Sequence, residues 1–171
     1  MQKALFLDRD GVINKEKDYL YKIEDFEFID GVFDSCRYFQ EQGYIIIIIT
    51  NQSGIAREYY SDEDFNTLTH WMIEQFAKGG IKITKLYYCP HHPNISGECD
   101  CRKPHSGMIL KAQEEWNIDL SKSILVGDKR SDIEAGQNAG IKHCYLVATG
   151  QDISKIDYDF KIDNLRELIK V

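Results

Sequence analysis

The chain has 171 residues, room for one ordinary domain and too few for two well-packed ones with a linker. Lysine and arginine number 21 against 28 aspartates and glutamates, a formal net charge of −7, which excludes a general nucleic-acid binder with a basic footprint. The five cysteines, an odd number with no signal-like apolar start, read as a metal site plus buried thiols in the reducing cytoplasm and not as a disulfide framework. No run approaches the roughly 18 apolar residues of a membrane span, so neither membrane nor nucleic acid is an expected partner.

In chain order, short apolar runs alternate with stretches of helical period, the pattern of strands buried on both faces between helices. Ala4 to Leu7 is the first predicted strand. Residues 12–30 are polar and aromatic by turns and suit a flap or hairpin. Val32, Cys36 and Phe39 fall at i, i+4 and i+7 and predict a helix stopped at Gly43. Five consecutive isoleucines, Ile45 to Ile49, make the plainest strand, because β-branched residues crowd a helix. Ser61 with Asp64 reads as a capping pair for a helix whose Phe65, Leu68, Met72 and Phe76 share a face. Ile83 to Tyr88 is the third strand, and Pro90 to His105 is loop by composition. Ser106 reads as the cap of a helix with Ile109, Ala112 and Trp116 inward. Ser123 to Val126 is the fourth strand, Ser131 with Glu134 a capping box for a helix ending near Gly140, and Cys144 to Val147 the fifth strand. The acidic stretch Asp152 to Asp163 is an edge strand or a connection, and the sequence leaves both open. The expected class is α/β: one domain over residues 1–171, three-layered and Rossmann-like, its mostly parallel sheet flanked by helices on both faces, with no large cap domain.

In such sheets ligands bind beyond the carboxyl ends of the strands. Leu7 is followed by Asp8-Arg9-Asp10-Gly11, Ile49 by Thr50-Asn51-Gln52-Ser53-Gly54, and Val126 by Gly127-Asp128-Lys129. One aspartate at a strand end is an ordinary cap. Asp8 and Asp10, at i and i+2, approach a common point, and their repulsion calls for a cation or a shared proton. A third carboxylate, Asp128, at the same edge makes an oxygen-ligand site for a hard cation the economical explanation, Mg2+ with a phosphate being the usual pairing.

Cys89-x-His91 and Cys99-x-Cys101 place three thiols and an imidazole within thirteen residues of loop, a ligand set for tetrahedral Zn2+. His91 is preferred because it mirrors the one-residue gap of the second pair, with His92 as the alternative. Four protein ligands leave no open position, so the zinc is expected to be structural and to fix Arg102 and Lys103, which follow Cys101 directly. Cys36 and Cys144 are assigned to the core.

The set Asp8-x-Asp10-Gly11, Thr50-Asn51, Lys103 and Gly127-Asp128 resembles the four ordered motifs of the haloacid dehalogenase-like phosphohydrolases, from Phe6 to about Asp132. The resemblance implies a phosphatase with Asp8 as nucleophile and Asp10 as general acid and base. Thr50 and Lys103 would hold the phosphoryl group, and Asp8, the Asp10 backbone carbonyl and Asp128 would bind Mg2+. A carboxylate attacking a phosphate dianion needs its charge neutralised first. Asp8, Asp128 and the phosphate balance Mg2+, Lys103 and Arg102 if Asp10 is protonated, which requires a raised Asp10 pKa.

Longer runs narrow the resemblance. Asp8 to Asn14, Thr50 to Arg57, Tyr87-Tyr88-Cys89-Pro90-His91-His92-Pro93 and Cys99-Asp100-Cys101-Arg102-Lys103-Pro104 are similar to the branch containing the heptose 1,7-bisphosphate 7-phosphatases and the histidinol-phosphate phosphatases, the former more closely. That implies removal of the C7 phosphate from a small-molecule sugar bisphosphate in bacterial heptose biosynthesis, with histidinol phosphate or another sugar bisphosphate as the alternative. Carried over position by position, substrate contacts fall to Glu16, Lys17, Asp18 and Tyr19, to Thr50, Asn51, Gln52 and Ser53, and to Arg102, Lys103 and Lys129. A bisphosphate needs a second anion site, for which Arg57, Arg102, Lys129 and Arg130 are candidates and Arg102 is favoured. The chain departs from the family at Glu58, at Ser106 and in a short zinc loop. The lack of an obvious large apolar surface stripe favours a monomer.

Overall fold

The isoleucine run lies in the middle of β2 (Tyr44–Asn51), and Ile46 to Ile49 are buried on both faces of the sheet. The computed structural model describes residues 1–169. Its sheet has six parallel strands in the order β3-β2-β1-β4-β5-β6, the others being β1 (Lys3–Leu7), β3 (Ile83–Cys89), β4 (Ile124–Gly127), β5 (His143–Val147) and β6 (Lys161–Ile162). The five predicted strands are all present. The acidic segment turns out to be mostly connection, with only its Lys161–Ile162 pairing beside β5.

Alternation of side chains along each strand divides the core in two. Leu5, Leu7, Ile46 and Ile48 face α1 (Val32–Glu41) and α2 (Asp62–Lys78), meeting Cys36, Phe39, Leu68, Met72 and Phe76. Ala4, Phe6, Ile47 and Ile49 face α3 (Gly107–Trp116) and α4 (Arg130–Ala139), meeting Met108, Ile109, Ala112 and Ile133. Each of the leucine, isoleucine, phenylalanine and methionine side chains taken from water contributes about 1.5–3 kcal/mol, so both helical layers are held by the sheet. Cys36 and Cys144 lie in the two core clusters, as expected.

The capping pair of α2 forms as read: Ser61 Oγ accepts the Asp64 N–H and Asp64 Oδ2 accepts the Ser61 N–H, each at 3.0 Å. Two other capping expectations are corrected. Ser106 stands at the start of α3 without a side-chain bond, and the Gly107 N–H instead donates to the Asp100 carbonyl at 3.0 Å, tying the helix to the cysteine loop. At α4, Asp132 takes the place expected for Ser131 and Glu134, its Oδ2 accepting the N–H groups of Asp128 and Lys129 at 3.1 Å. Gly127 makes this possible, because a Cβ there would lie 2.1 Å from Asp132 Cβ.

Residues 12–30 form the expected flap. The Ile29 N–H donates to the Ile13 carbonyl at 2.8 Å and the Lys15 N–H to the Glu27 carbonyl at 2.9 Å, closing a hairpin whose Leu20 and Phe26 are buried. Among the described residues no helix is long and apolar enough to cross a membrane.

Candidate active site

β1 lies at the switch point of the sheet, between β2 and β4, and the ends of β1 and β4 deliver the carboxylates to one place beside the end of β2. Asp8 is fixed by its own N–H, which donates to the Val126 carbonyl at 3.1 Å across the sheet end. Lys103 arrives from the loop before α3 and buries its ammonium, with Nζ 3.0 Å from Asp8 Oδ1, 2.6 Å from Asp132 Oδ1 and 3.1 Å from the Ile49 carbonyl. Burial alone would lower the Lys103 pKa, but Asp132 and Asp8 outweigh it and raise it.

Asp8, Asp128 and Asp132 each offer a carboxylate oxygen, all within 4.8 Å of one another. Burial, then repulsion from Asp132, pushes Asp8 up to about 6 against the pull of Lys103. Burial, then Asp8 and Asp132, pushes Asp128 up to about 9. Both Asp128 oxygens are buried and have no hydrogen-bond partner. Gly11 and Gly150 crowd that carboxylate so closely that a Cβ on either would lie 2.2 or 2.3 Å from Asp128 Oδ2. Orphaned carboxylate oxygens next to a second carboxylate fit a divalent cation, which removes both the repulsion and the unsatisfied acceptors. Asp132 is the member the sequence reading did not assign. Its oxygens are already used by Lys103 and by two backbone N–H groups, so Asp8 and Asp128 are the side chains free to hold an ion.

Asp10 corrects an expectation. Burial is the largest influence and favours its neutral form, but the Arg9 charge and the hydrogen bonds from Arg9, Asn14 and Gln52 together outweigh it, so its carboxyl is held below the usual carboxylate range instead of above it. The contacts are Arg9 Nε at 3.2 Å, an Arg9 terminal nitrogen at 3.0 Å, Asn14 Nδ2 at 3.0 Å and Gln52 Nε2 at 3.1 Å. Arg9 is itself buried and, with Asp132, enlarges the charge balance: the ion pair Arg9–Asp10 closes on itself, and Lys103 is shared between two carboxylates.

Above these groups opens a cavity of about 570 Å³. Of the predicted substrate contacts, Glu16, Asp18, Tyr19, Asn51, Gln52, Ser53, Arg102, Lys103 and Lys129 line it, and Thr50 is buried beneath. Lys17 does not line it. Its ammonium instead donates to Glu27 Oε1 at 2.7 Å and to the Asp25 carbonyl at 2.8 Å, and these two flap partners hold it away from the cavity. Arg57 lines the cavity and Arg130 does not. Tyr60, Ser131 and Gln151 also line it without having been anticipated, since nothing in their local sequence marks them. Asn51 grips the Lys103 backbone at both ends of its amide, accepting the N–H at 3.0 Å and donating to the carbonyl at 3.3 Å.

The cysteine loop closes as the spacing suggested. Cys89, His91, Cys99 and Cys101 bring one ligand atom each within 4.8 Å of the others. His91 Nδ1 lies 3.5 Å from Cys89 Sγ and 3.3 Å from Cys101 Sγ, and Cys99 Sγ lies 3.6 Å from both other sulfurs. Cys89 and Cys101 are nearer, at 2.7 Å. Three thiols and an imidazole so placed fit a tetrahedral ion, which would hold sulfur ligands at about 2.3 Å and stabilise the thiolates. His92 turns away, its Nδ1 accepting the Asn94 N–H at 3.2 Å. Arg102 is moored to this loop through the His91 carbonyl at 3.3 Å.

Known proteins place this arrangement. The HAD-hydrolase-like family model matches residues 100–168. The chain is 52% identical over 167 residues to the D-glycero-alpha-D-manno-heptose-1,7-bisphosphate 7-phosphatase of Campylobacter jejuni, covering 98% of this chain and 94% of that one. It is 44% identical to the D-glycero-beta-D-manno-heptose-1,7-bisphosphate 7-phosphatase of Haemophilus influenzae, covering 100% and 97%. The crystal structure of D,D-heptose 1,7-bisphosphate phosphatase from B. bronchiseptica, complexed with magnesium and phosphate, superimposes with a TM-score of 0.88 at 27% identity, covering 98% and 96%. With identity at this level along nearly its whole length, the chain belongs to the heptose-1,7-bisphosphate 7-phosphatase family of HAD-like hydrolases.

Proposed function

We propose that this chain is a magnesium-dependent phosphatase that removes the C7 phosphate of D-glycero-D-manno-heptose 1,7-bisphosphate and leaves the 1-phosphate in place. The meeting of Asp8, Asp128 and Lys103 beneath one cavity carries this reading, in a chain whose relatives are named for that reaction. Of the two anomers at C1 we assign the α form. Two relatives named for it are 52% and 49% identical to this chain, against 43% to 46% for six named for the β form.

Asp8 is the nucleophile: its carboxylate oxygen bonds to phosphorus as the bond to the C7 oxygen breaks. Asp10 protonates the departing oxygen, then takes a proton from the water that hydrolyses the aspartyl phosphate. In the free protein Asp10 is ionised by its N–H donors. The dianionic phosphate itself raises its proton affinity, so the acid forms when substrate is bound. Thr50 and Lys103 hold the transferring group, while Arg102, Lys129 and Arg57 face the second phosphate from the cavity wall. Mg2+ is held by Asp8, the Asp10 backbone carbonyl and Asp128, and when bound it supplies the charge neutralisation that lets an anion approach an anion. Zn2+ on Cys89, His91, Cys99 and Cys101 has a structural part, fixing the loop that carries Arg102 and Lys103.

The test is a phosphate-release panel of both heptose bisphosphate anomers, other sugar bisphosphates and histidinol phosphate, with the cleaved position assigned by phosphorus NMR. Cleavage at C7 of the α anomer is expected, and it should be lost in Asp8→Asn. A preference for histidinol phosphate, or turnover by Asp8→Asn, would overturn the substrate or the nucleophile respectively.

A further inference from the structure

We propose that Gln52 is a positioning residue that sets Asp10 and Thr50 at their working separation, and that it does not bind substrate. The proposal rests on the roles given above to Asp10 and Thr50. Gln52 borders the cavity but is only 3% exposed, and each of its polar groups has a partner inside the protein. Its Nε2 donates to Asp10 Oδ2 at 3.1 Å and to Thr50 Oγ1 at 2.8 Å. Its Oε1 accepts the Tyr60 hydroxyl, and its backbone N–H donates to the Cys89 carbonyl at 2.7 Å. A bond donated by its side chain to a sugar or phosphate oxygen would have to break one of these bonds, because both Nε2 hydrogens are already used.

The amide can face only one way. A flipped Gln52 would set its oxygen against the Asp10 carboxylate and lose both donated bonds, and the Tyr60 hydroxyl selects the working orientation by donating to Oε1. Tyr60 is itself held, 7% exposed and stacked on Tyr21 of the flap at 5.4 Å between ring centroids. Asp10 follows β1 and Thr50 lies one residue before the end of β2, so the Gln52 amide is a direct bridge between the group that moves the proton and the group that holds the phosphoryl oxygens. An interaction of this kind acts on the reacting geometry and not on the affinity of the ground state.

The experiment is Gln52→Met, which keeps length and removes the amide, assayed on p-nitrophenyl phosphate and on the heptose bisphosphate. The kcat is expected to fall roughly 10- to 100-fold by the same factor on both substrates, with KM within about two-fold. A raised KM with kcat retained, a loss confined to the sugar substrate, or an unchanged kcat would overturn the proposal. If Gln52→Met does not fold, Tyr60→Phe decides. It keeps the ring and removes only the orienting hydroxyl, and kcat should drop about two- to five-fold at constant KM and constant melting temperature; a wild-type kcat would overturn the proposal. The wild-type rate on heptose bisphosphate separately judges the substrate assignment, while the variant ratio on p-nitrophenyl phosphate judges Gln52.

Discussion

Asp132 and Lys103 form a buried ion pair, Oδ1 to Nζ at 2.6 Å, and the other Asp132 oxygen holds the N–H groups of Asp128 and Lys129. One side chain therefore fixes both the lysine and the turn that presents Asp128. Asp132→Ala leaves the buried Lys103 ammonium short of a partner. We expect a loss of roughly 2–4 kcal/mol in urea unfolding and at least about a ten-fold loss in kcat. An unchanged urea midpoint would show that the pair contributes nothing.

The crowded carboxylates make stability depend on pH. An unperturbed aspartate has a pKa of 3.8, whereas folded Asp128 is pushed up to about 9 and Asp8 to about 6, in both cases chiefly by burial. Between these values the folded chain retains protons that the unfolded chain has released, so their contribution is fully present at low pH and is lost as pH rises through the folded pKa values. In chelator, the melting temperature of Asp128→Asn should gain on wild type steadily from about pH 5 to about pH 9, and Mg2+ should raise only the wild-type value. A gap that does not change with pH would contradict this.

The cysteine loop gives a prediction about content as well as rate. Cys101→Ala removes one of four clustered ligand atoms two residues before Lys103. Elemental analysis should find about one zinc per chain in wild type and little in the variant, with kcat lowered about ten-fold or more as Lys103 loses its anchor. Normal zinc and a normal rate together would remove the structural part assigned to the metal.

The flap separates residues that look alike in sequence. Lys17 is turned onto Glu27 and the Asp25 carbonyl, while Arg102 lines the cavity. Lys17→Ala should leave KM for the bisphosphate within about two-fold, and Arg102→Ala should raise it about ten-fold or more. Equal effects would mean that the flap turns over when substrate binds.

Local chemistry was enough for much of this protein. The isoleucines of β2 fix a strand because β-branching and continuous apolarity need no distant information, and the same holds for the Ser61–Asp64 cap. The ligand spacing in the cysteine loop is likewise local, and so is the arrival of Asp8, Thr50 and Asp128 at strand ends, because strand parity and the parallel sheet follow from the hydrophobic pattern.

Tertiary structure decided what depends on partners far apart in the chain. Asn51 clamps a backbone 52 residues away, and Lys103 is shared between Asp8 and Asp132, neither of which its neighbours in sequence announce. The ionisation of Asp10 went against expectation for the same reason: a pKa is set by the donors and the burial around a group, and those of Asp10 come from the flap and from the turn after β2 as well as from Arg9. Composition and motif determined which chemistry the chain could perform. Packing determined which carboxylate is free for a cation, which is tied to a lysine, and which is already satisfied.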